Sequence, residues 1–333
     1  MSYVHLHAHS AFSFYDGATR VEELPRAARD AGMSAIALTD HNTLAGAVRF
    51  YQAALEAGVK PIIGVEFTIE PVLPRLQEDA ERPPHLVLLG ENNEGYSNLC
   101  RLVTAARLGE ARRESAFSAA YEEVDRDRPL LTQENLRQYS EHLIALTACR
   151  KRGEIPHLLE RGLLNEALEV AKYYRDLFGP ERLFIELHNH FLPRPQSRSR
   201  YRLAELAARL DLPCVATNNA HYLHKSGYRL QDVLVCMGAR QMVDEPNPDR
   251  RPNAEFYLKS PRQMAELFAD QPEAIANTAR IAERCEWELD LETFHFPAFD
   301  LERLRTDEGH QHPAATPGMG ESSRTFLRRL CEE

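Results

Sequence analysis

Short apolar runs alternate with longer helical patterns along most of the 333 residues, and this alternation constrains the fold more than any other feature. Such alternation is typical of strand-helix units on a parallel sheet. The runs that predict strands are residues 3–9, 34–40, 61–67, 85–90, 142–148, 183–189 and 213–218. The patterns that predict helices are residues 20–32, 43–57, 92–107, 162–178 and 197–210. No Gly-rich phosphate-binding loop follows the first run, which disfavours a dinucleotide-binding sheet and favours a barrel or another doubly wound sheet.

The strand pattern stops near residue 225, and the chain then predicts helices at about 225–237, 260–269 and 271–286. Residues 109–131 are dense in charge and predict an insertion outside the core. From residue 303 onward the sequence lacks periodicity, which predicts a linker before a short helix at the end. We therefore expect one domain over residues 1–290 and a linker with a short helix over 291–333.

Composition excludes several classes of protein. The chain has 40 Lys and Arg against 50 Asp and Glu, a net charge of −10, and 43% hydrophobic residues, which is ordinary for a folded domain. No apolar stretch approaches the roughly 18 residues of a membrane span, and no signal-type segment opens the chain, so we predict a cytoplasmic location. The six cysteines are scattered without a Cys-x-x-Cys pair, which argues against a disulfide framework. The negative charge disfavours general coating of nucleic acid.

Metal-ligand residue types concentrate near the predicted strand ends. His5, His7 and His9 alternate along the first predicted strand, and pleating would place all three on one face. The other residues of this kind are Asp40, His41, Glu66, Cys149, Asn219 and His221, together with His85, which instead opens its strand. A polar strand face would explain one His-x-His pair. It does not explain ligand types at nearly every strand end on the side where barrels build their sites.

Imidazole and carboxylate ligands suit zinc, manganese or iron, and this many of them imply two or three ions that share bridging carboxylates. Such clusters hydrolyse phosphoesters, because one ion activates water while its neighbours hold the phosphoryl oxygens. The sequence shows no Ser-His-Asp or Cys-His nucleophile motif that would compete for these residues.

Several motifs carry a family resemblance. They are LHAHS at 6–10, FYDGA at 14–18, ALTDHN at 37–42, IGVEF at 63–67, HLVLLGENNEGYSNL at 85–99 and VATNNAHYL at 215–223. Together they resemble the PHP (polymerase and histidinol phosphatase) domain, in the version found at the N-terminus of the alpha subunit of bacterial DNA polymerase III. The segments GENNEGYSNLCRLVT, FIELHNH and NAEFYLKSPRQMAELF resemble the polymerase version more than free-standing phosphatases. The resemblance extends from residue 1 to about residue 300.

The resemblance implies an α/β fold, a distorted TIM-like barrel of seven βα units with a helical C-terminal extension. It also implies a metal cluster of two or three zinc or manganese ions, with iron as a further option. Its ligands would be His7, His9, Asp16, His41, Glu66, His85, Cys149 and His221. Asn219 stands where the family has Asp, and an amide there would hold a metal more weakly. His5 and Asp40 would support the ligands without binding, and no ligand role is implied for His188 or His190.

The resemblance further implies a metal-dependent 3′–5′ exonuclease of the proofreading type that acts on a DNA 3′ end. Its expected partners are a polymerase palm downstream of residue 333, a separate proofreading subunit and other replisome proteins, with no membrane. Two alternatives remain open: a catalytically weakened structural module, which Asn219 favours, and a small-molecule phosphoesterase of the histidinol-phosphatase type. An Arg-rich run could hold a nucleic-acid backbone or simply form a solvated helix face. It comprises Arg194, Arg198, Arg200 and Arg202.

Overall fold

The computed structural model describes residues 3–74, 83–108, 129–194, 196–291, 293 and 322–332. These residues fall into two compact units, Met1–Leu289 and Asp290–Glu333, and each is described by itself. The domain boundary expected from the sequence remains a prediction. Among the described residues, no helix is both long enough and apolar enough to cross a membrane.

The first unit contains a curled, half-barrel sheet of six strands in the order β1 to β6. The strands are Ala35–Leu38 (β1), Lys60–Thr68 (β2), His85–Gly90 (β3), Leu143–Leu146 (β4), Leu183–Leu187 (β5) and Cys214–Ala216 (β6). Each lies within or next to a run that predicted a strand, so the mixed α/β class is confirmed. Every residue of β1, β3, β4 and β5 is buried, as expected for apolar runs covered on both faces.

The expectation of a uniformly parallel sheet is wrong for β3. β1 pairs with β2 in parallel, as do β4 with β5 and β5 with β6, whereas β3 is antiparallel to both β2 and β4. Because β3 runs backwards, its first residue lies at the same end of the sheet as the last residues of its neighbours, and His85 pairs in register with Thr68. The position of His85 at the start of its strand is thereby explained.

The prediction of a regular strand at residues 3–9 is wrong. The segment makes isolated parallel bridges instead, His5 with Ile36 of β1 and Ala8 with Ala220 after β6. Its backbone hydrogen-bonds on both sides, since the Ala37 amide donates to the His5 carbonyl (2.8 Å) and the His9 amide donates to the Ala220 carbonyl (2.8 Å). The segment therefore lies beside both outer strands, and a complete seven-unit barrel remains a prediction.

Helices connect the strands and follow the last one. In chain order the α-helices of the first unit are Glu23–Asp30 (α1), Ala47–Ala57 (α2), Asn93–Leu108 (α3), Gln133–Gln138 (α4), Glu154–Glu160 (α5), Leu164–Phe178 (α6), Ser199–Leu210 (α7), Tyr228–Ala239 (α8), Pro261–Leu267 (α9) and Pro272–Arg284 (α10). The short helices α4 and α5 were not predicted from the sequence. Residues 109–128 of the predicted insertion lie outside the described residues. Its last residues, Leu130 and Leu131, are buried.

Local sequence signals account for several helix ends. Gly58 ends α2 in a left-handed conformation (φ 66°), which glycine adopts without steric cost. Ser260 begins α9 with a capping box: its hydroxyl accepts from the Gln263 amide (3.3 Å), and the Gln263 side chain accepts from the Ser260 amide (2.9 Å). The second unit contains a helix at Ser323–Glu332 (α11).

Two apolar clusters lie on opposite faces of the sheet. The larger cluster packs the outer face against the helices and includes Leu38, Ile63 and Ile185. The smaller cluster occupies the inner face, with alternate strand residues such as Ile62, Val87 and Phe184. Ile281, Ala282 and Cys285, from α10 and the residue after it, belong to the inner cluster. Apolar side chains thus fill part of the inner face, and the polar residues described next lie farther along the same strands.

Candidate metal centre

Glu66 forms the middle of a buried polar cluster. It lies on β2 four residues beyond Ile62, so strand alternation directs its side chain to the inner face. Its Oε2 atom lies 3.0 Å from His41 Nδ1, 3.3 Å from His9 Nε2 and 3.5 Å from His7 Nε2. Its Oε1 atom lies 3.2 Å from His85 Nδ1. One carboxylate therefore faces four imidazoles from three separate parts of the chain.

Asp16 lies at the centre of a second group of polar side chains, next to the cluster around Glu66. Its Oδ2 atom lies 3.0 Å from His41 Nε2, 3.0 Å from His221 Nε2 and 2.8 Å from Arg251 Nη2. The Gln231 side-chain amide donates to its other oxygen at 2.7 Å. Since His41 lies between Glu66 and Asp16, the two groups of side chains form one continuous site.

Hydrogen bonds on the far side of the rings orient three of the histidines. His7 Nδ1 contacts Glu186 Oε1 at 2.7 Å, and His221 Nδ1 contacts the Asn219 carbonyl at 2.8 Å. His9 Nδ1 contacts the Ser13 hydroxyl at 3.0 Å. In each ring a proton on Nδ1 leaves the Nε2 lone pair directed into the cluster, which is the usual preparation of a metal-binding histidine.

Asp40 supports this arrangement from behind. Its carboxylate accepts from the Ser13 hydroxyl (2.6 Å) and from the amide and hydroxyl of Ser10 (both 2.7 Å). Because Ser13 donates its proton to Asp40, its oxygen is left to accept from His9 Nδ1. The same oxygen accepts from the His41 amide at 3.1 Å. Asp40 thus holds the serine that positions two histidines, which is compatible with the supporting role expected for it.

The carboxylates raise the pKa of two histidines. Burial alone would lower the pKa of His7, but the charges of Glu186 and Glu66 outweigh burial and raise it to about 10. Burial also opposes the charge on His41, yet Glu66 and Asp16 raise its pKa to about 9. Burial would raise the pKa of Glu66, but the neighbouring imidazolium charges hold it well below its usual value. Protons on His7 and His41 therefore balance the carboxylates, and a cation bound there would displace them.

Three other histidines are held neutral. Burial, followed by the nearby His41 charge, lowers the pKa of His9 well below its usual value. Burial lowers the pKa of His85 to about 4, and burial together with the Arg251 charge lowers that of His221 to about 4. Neutral imidazole is the form that binds a metal ion. These three rings therefore need not lose a proton before they bind.

The nitrogen and oxygen atoms in this site are better placed to bind a metal ion than to form hydrogen bonds with one another. The His7 and His9 Nε2 atoms, His41 and His85 Nδ1 and Glu66 Oε1 are buried and, within the described part of the chain, have no hydrogen-bond partner. Buried polar atoms are almost always hydrogen-bonded, so four imidazole nitrogens and a carboxylate oxygen that lack a hydrogen bond need an explanation. Two groups of ligand atoms, His7 with His9 and Glu66, and His41 with Glu66 and His85, each lie within 4.8 Å of one another. Imidazole nitrogens and a shared carboxylate are suitable ligands for zinc, manganese or iron.

The structure brings most of the expected ligands to one pocket. His7, His9, Asp16, His41, Glu66, His85 and His221 lie in the cluster just described. Cys149 and Asn219 line the same pocket, of about 400 Å³, without belonging to either Glu66 group. Burial, with the Glu66 charge, raises the pKa of the Cys149 thiol. Asn219 is 1% exposed, and its Oδ1 atom has no hydrogen-bond partner among the described residues. The ligand assignments themselves remain predictions.

His5 does not share a face with His7 and His9, which corrects the expectation of three aligned imidazoles. Its Nε2 atom contacts the Lys259 carbonyl at 2.8 Å, and its Nδ1 atom contacts the Tyr3 hydroxyl at 3.4 Å. The chain bends at His7 and is not a regular strand, so pleating does not align these three rings. With both nitrogens engaged elsewhere, His5 lies outside the cluster.

Three residues of the site were not predicted from the sequence. Glu186 is fully buried and contacts both His7 and His188, the latter at 3.2 Å. The signal was available, because a Glu two residues after Phe184 on an otherwise apolar strand must face the inner side. The other two residues, Arg251 and Gln231, come from the region after β6 and had no comparable local signal.

The four arginines proposed to bind nucleic acid do not line this pocket. Arg200 pairs with Asp270 at 3.1 Å, and Arg202 donates to the Leu159 carbonyl at 3.2 Å. Arg194 and Arg198 are exposed. A nucleic-acid role for this run remains a prediction.

Comparison with known proteins agrees with the geometry of the site. The family model described as the PHP domain matches residues 5–190, which is more than half of the chain. The chain belongs to the PHP domain family. The match covers the segments that supply His7, Glu66 and Glu186 but ends before those that supply His221 and Arg251.

Curated relatives of this PHP chain are longer proteins. The error-prone DNA polymerase of Symbiobacterium thermophilum is 43% identical over 317 residues, 95% of this chain and 27% of that protein. The DNA polymerase III subunit alpha of Treponema pallidum is 39% identical over 288 residues, 86% of this chain and 23% of that protein. The chain therefore spans about a quarter of the length of these relatives.

One solved structure, an amidohydrolase from Chromobacterium violaceum, is similar at a TM-score of 0.43 and 18% identity, over 66% of this chain and 88% of that chain. A likeness this low carries no argument about fold or activity.

Proposed function

We propose that this PHP domain is a metal-dependent phosphoesterase that hydrolyses the terminal phosphodiester at a DNA 3′ end, as part of a polymerase alpha subunit. The observation that carries the proposal is Glu66, a buried carboxylate with four imidazoles within 3.5 Å. The unpaired ring nitrogens facing it support a bound cation rather than a hydrogen-bonded core.

The residues that would hold two ions are the two Glu66 groups, and Asp16 with His221 is the place where a third ion would bind. Two or three zinc or manganese ions held there would lower the pKa of water and neutralise charge on phosphoryl oxygens. The side chains behind the ligands keep the geometry fixed: Glu186 sets the tautomer of His7, and Ser13 sets that of His9. Such fixed ligands need little rearrangement when charge develops on the phosphate.

Residues at the mouth of the pocket favour a nucleotide substrate. Phe14 and Tyr15 line the pocket and are 77% and 56% exposed. Exposed aromatic rings stack on the bases of single-stranded nucleic acid. Lys151 and Arg152 line the same pocket and offer positive charge to a phosphate backbone. This combination of rings and cations suits a DNA end better than a small phosphomonoester.

The polymerase context of the proposal rests on the names of the relatives. Two of them are a DNA polymerase III subunit alpha and an error-prone DNA polymerase. We therefore infer a cytoplasmic replication protein in which a polymerase palm adjoins this domain, with a proofreading subunit and other replisome proteins as partners.

The test is digestion of a 5′-labelled DNA single strand by the purified chain with Mn²⁺ or Zn²⁺. The proposal predicts shortening from the 3′ end, which EDTA abolishes and His7→Ala removes. Shortening that survives His7→Ala would indicate a contaminating nuclease. Hydrolysis of p-nitrophenyl phosphate without any digestion of DNA would instead support a small-molecule phosphoesterase.

One observation favours a second candidate, a structural module that binds ions without efficient hydrolysis. Asn219 faces the pocket where the family has Asp, and its amide can neither take a proton nor offer a negative charge. If the wild type is inert and Asn219→Asp digests DNA, the structural module is favoured. Equal digestion by both proteins would contradict it.

A further inference from the structure

We propose that the guanidinium of Arg251 is a built-in cation of the site, which takes the place of one metal ion beside Asp16 and His221. The chain would then hold two ions, both around Glu66, rather than three. The inference deepens the proposed function and rests on it, because it concerns how many ions the same site holds.

The guanidinium of Arg251 contacts two of the expected metal ligands. Arg251 Nη2 lies 2.8 Å from Asp16 Oδ2 and also hydrogen-bonds His221 Nε2. Both atoms are ones with which these residues would bind a metal. His221 Nδ1 contacts the Asn219 carbonyl, so the Nε2 atom is left as the acceptor for Arg251. A cation with directed N–H donors thus already satisfies this pair of ligands.

Arg251 is also held firmly in place. Its side chain is 11% exposed, and its guanidinium carbon lies 5.1 Å from the centre of the Phe256 ring. The preceding residue, Arg250, makes two hydrogen bonds of 2.6 Å to the Asp232 carboxylate on α8. Two residues later, the Asn253 side chain donates to the His190 carbonyl at 2.7 Å. Anchors on both sides of Arg251 fix the segment against the pocket.

The charge balance of the pocket also favours two ions over three. Asn219 lines the pocket without the negative charge that Asp would bring, while Arg251 adds one positive charge. A site with one carboxylate fewer and one fixed cation more is balanced by fewer metal ions. The two ligand groups that include Glu66, His7 with His9 and His41 with His85, do not involve Arg251. Those two groups remain available to bind metal ions.

The alternative is that Arg251 swings out and a third ion enters. The two cases differ in metal content, which can be measured without activity. Wild type, Arg251→Met, Arg251→Lys and Arg152→Met would be dialysed against excess Mn²⁺, and the bound metal per chain would be determined by elemental analysis. Arg152 is the matched control, since it lines the same pocket but, in the part of the chain that the structure describes, forms no hydrogen bond or ion pair with Asp16 or His221.

We expect two ions per chain for the wild type, Arg251→Lys and Arg152→Met, and a third ion for Arg251→Met. Thermal unfolding provides a second readout that also shows whether each variant folds. Arg251→Met should melt lower than the wild type in EDTA and gain more from added Mn²⁺. Three ions in the wild type, or equal metal content in wild type and Arg251→Met, would overturn the inference and leave the proposed function standing. No ion in either protein would contradict both.

Discussion

Replacing Glu66 with glutamine tests whether one shared carboxylate organises the metal site. Glu66 faces four imidazoles, so Glu66→Gln removes the common ligand of both groups while keeping the side-chain volume. An ion present at 100 times its Kd stabilises a folded chain by about 2.7 kcal/mol, so two ions contribute about 5 kcal/mol. For a chain of this size, that free energy corresponds to a rise in Tm of roughly 10 °C.

The assay is thermal unfolding of each protein in EDTA and then in excess Zn²⁺ or Mn²⁺, with the rise in Tm compared within each protein. We expect the rise to fall below about 2 °C in Glu66→Gln. Glu154→Gln is the matched control, because Glu154 is also a buried carboxylate but accepts from the amides of Val72 and Leu73 and belongs to neither Glu66 group. A full rise in Glu66→Gln, or a lost rise in Glu154→Gln, would show that Glu66 does not organise the metal site.

Three further predictions concern residues around the site and within the core. Glu186→Leu removes the partner of His7 Nδ1 and should weaken metal binding about 10- to 100-fold in a chelator-competition titration, with unchanged affinity as the contrary result. Burial raises the pKa of Glu154 from 4.5 to about 7, so the folded state keeps a proton that the unfolded state loses. The free energy of unfolding should therefore fall by up to about 3 kcal/mol as pH rises from 5 to 8, and urea titrations should not show this fall in Glu154→Gln. Gly17→Ala would place Cβ 1.8 Å from the Ser10 carbonyl oxygen and should destabilise the chain by at least about 2 kcal/mol in urea. Unchanged stability would show that the loop carrying Asp16 adapts.

The strands of the sheet could be predicted from the sequence because each is a short apolar run buried on both faces. The direction of β3 could not be predicted, because an apolar run does not indicate whether its strand is parallel or antiparallel to its neighbours. That orientation depends on pairing with β2 and β4. The prediction of a strand at residues 3–9 is wrong for a related reason. Its alternating histidines resemble a pleated strand, yet only isolated bridges hold it to its neighbours.

Most of the candidate site could be predicted because its ligand types are unusual and lie near the ends of recognisable strands. Arg251 could not, because it meets Asp16 across 235 residues and lies in a region without strand periodicity. Gln231 reaches the same carboxylate across 215 residues. For such contacts the sequence indicates residue types only, and the packing of α8 and the segment after it decides which side chain enters the pocket.

Anomalous diffraction from crystals grown with Zn²⁺, recorded on both sides of the zinc absorption edge, would show whether Glu66 and its histidines bind metal ions. We expect strong peaks about 2.0–2.2 Å from Glu66 oxygens and from the Nε2 atoms of His7 and His9. An ordered cluster with no anomalous peak inside it, or with peaks only on the protein surface, would show that these residues do not hold the ions.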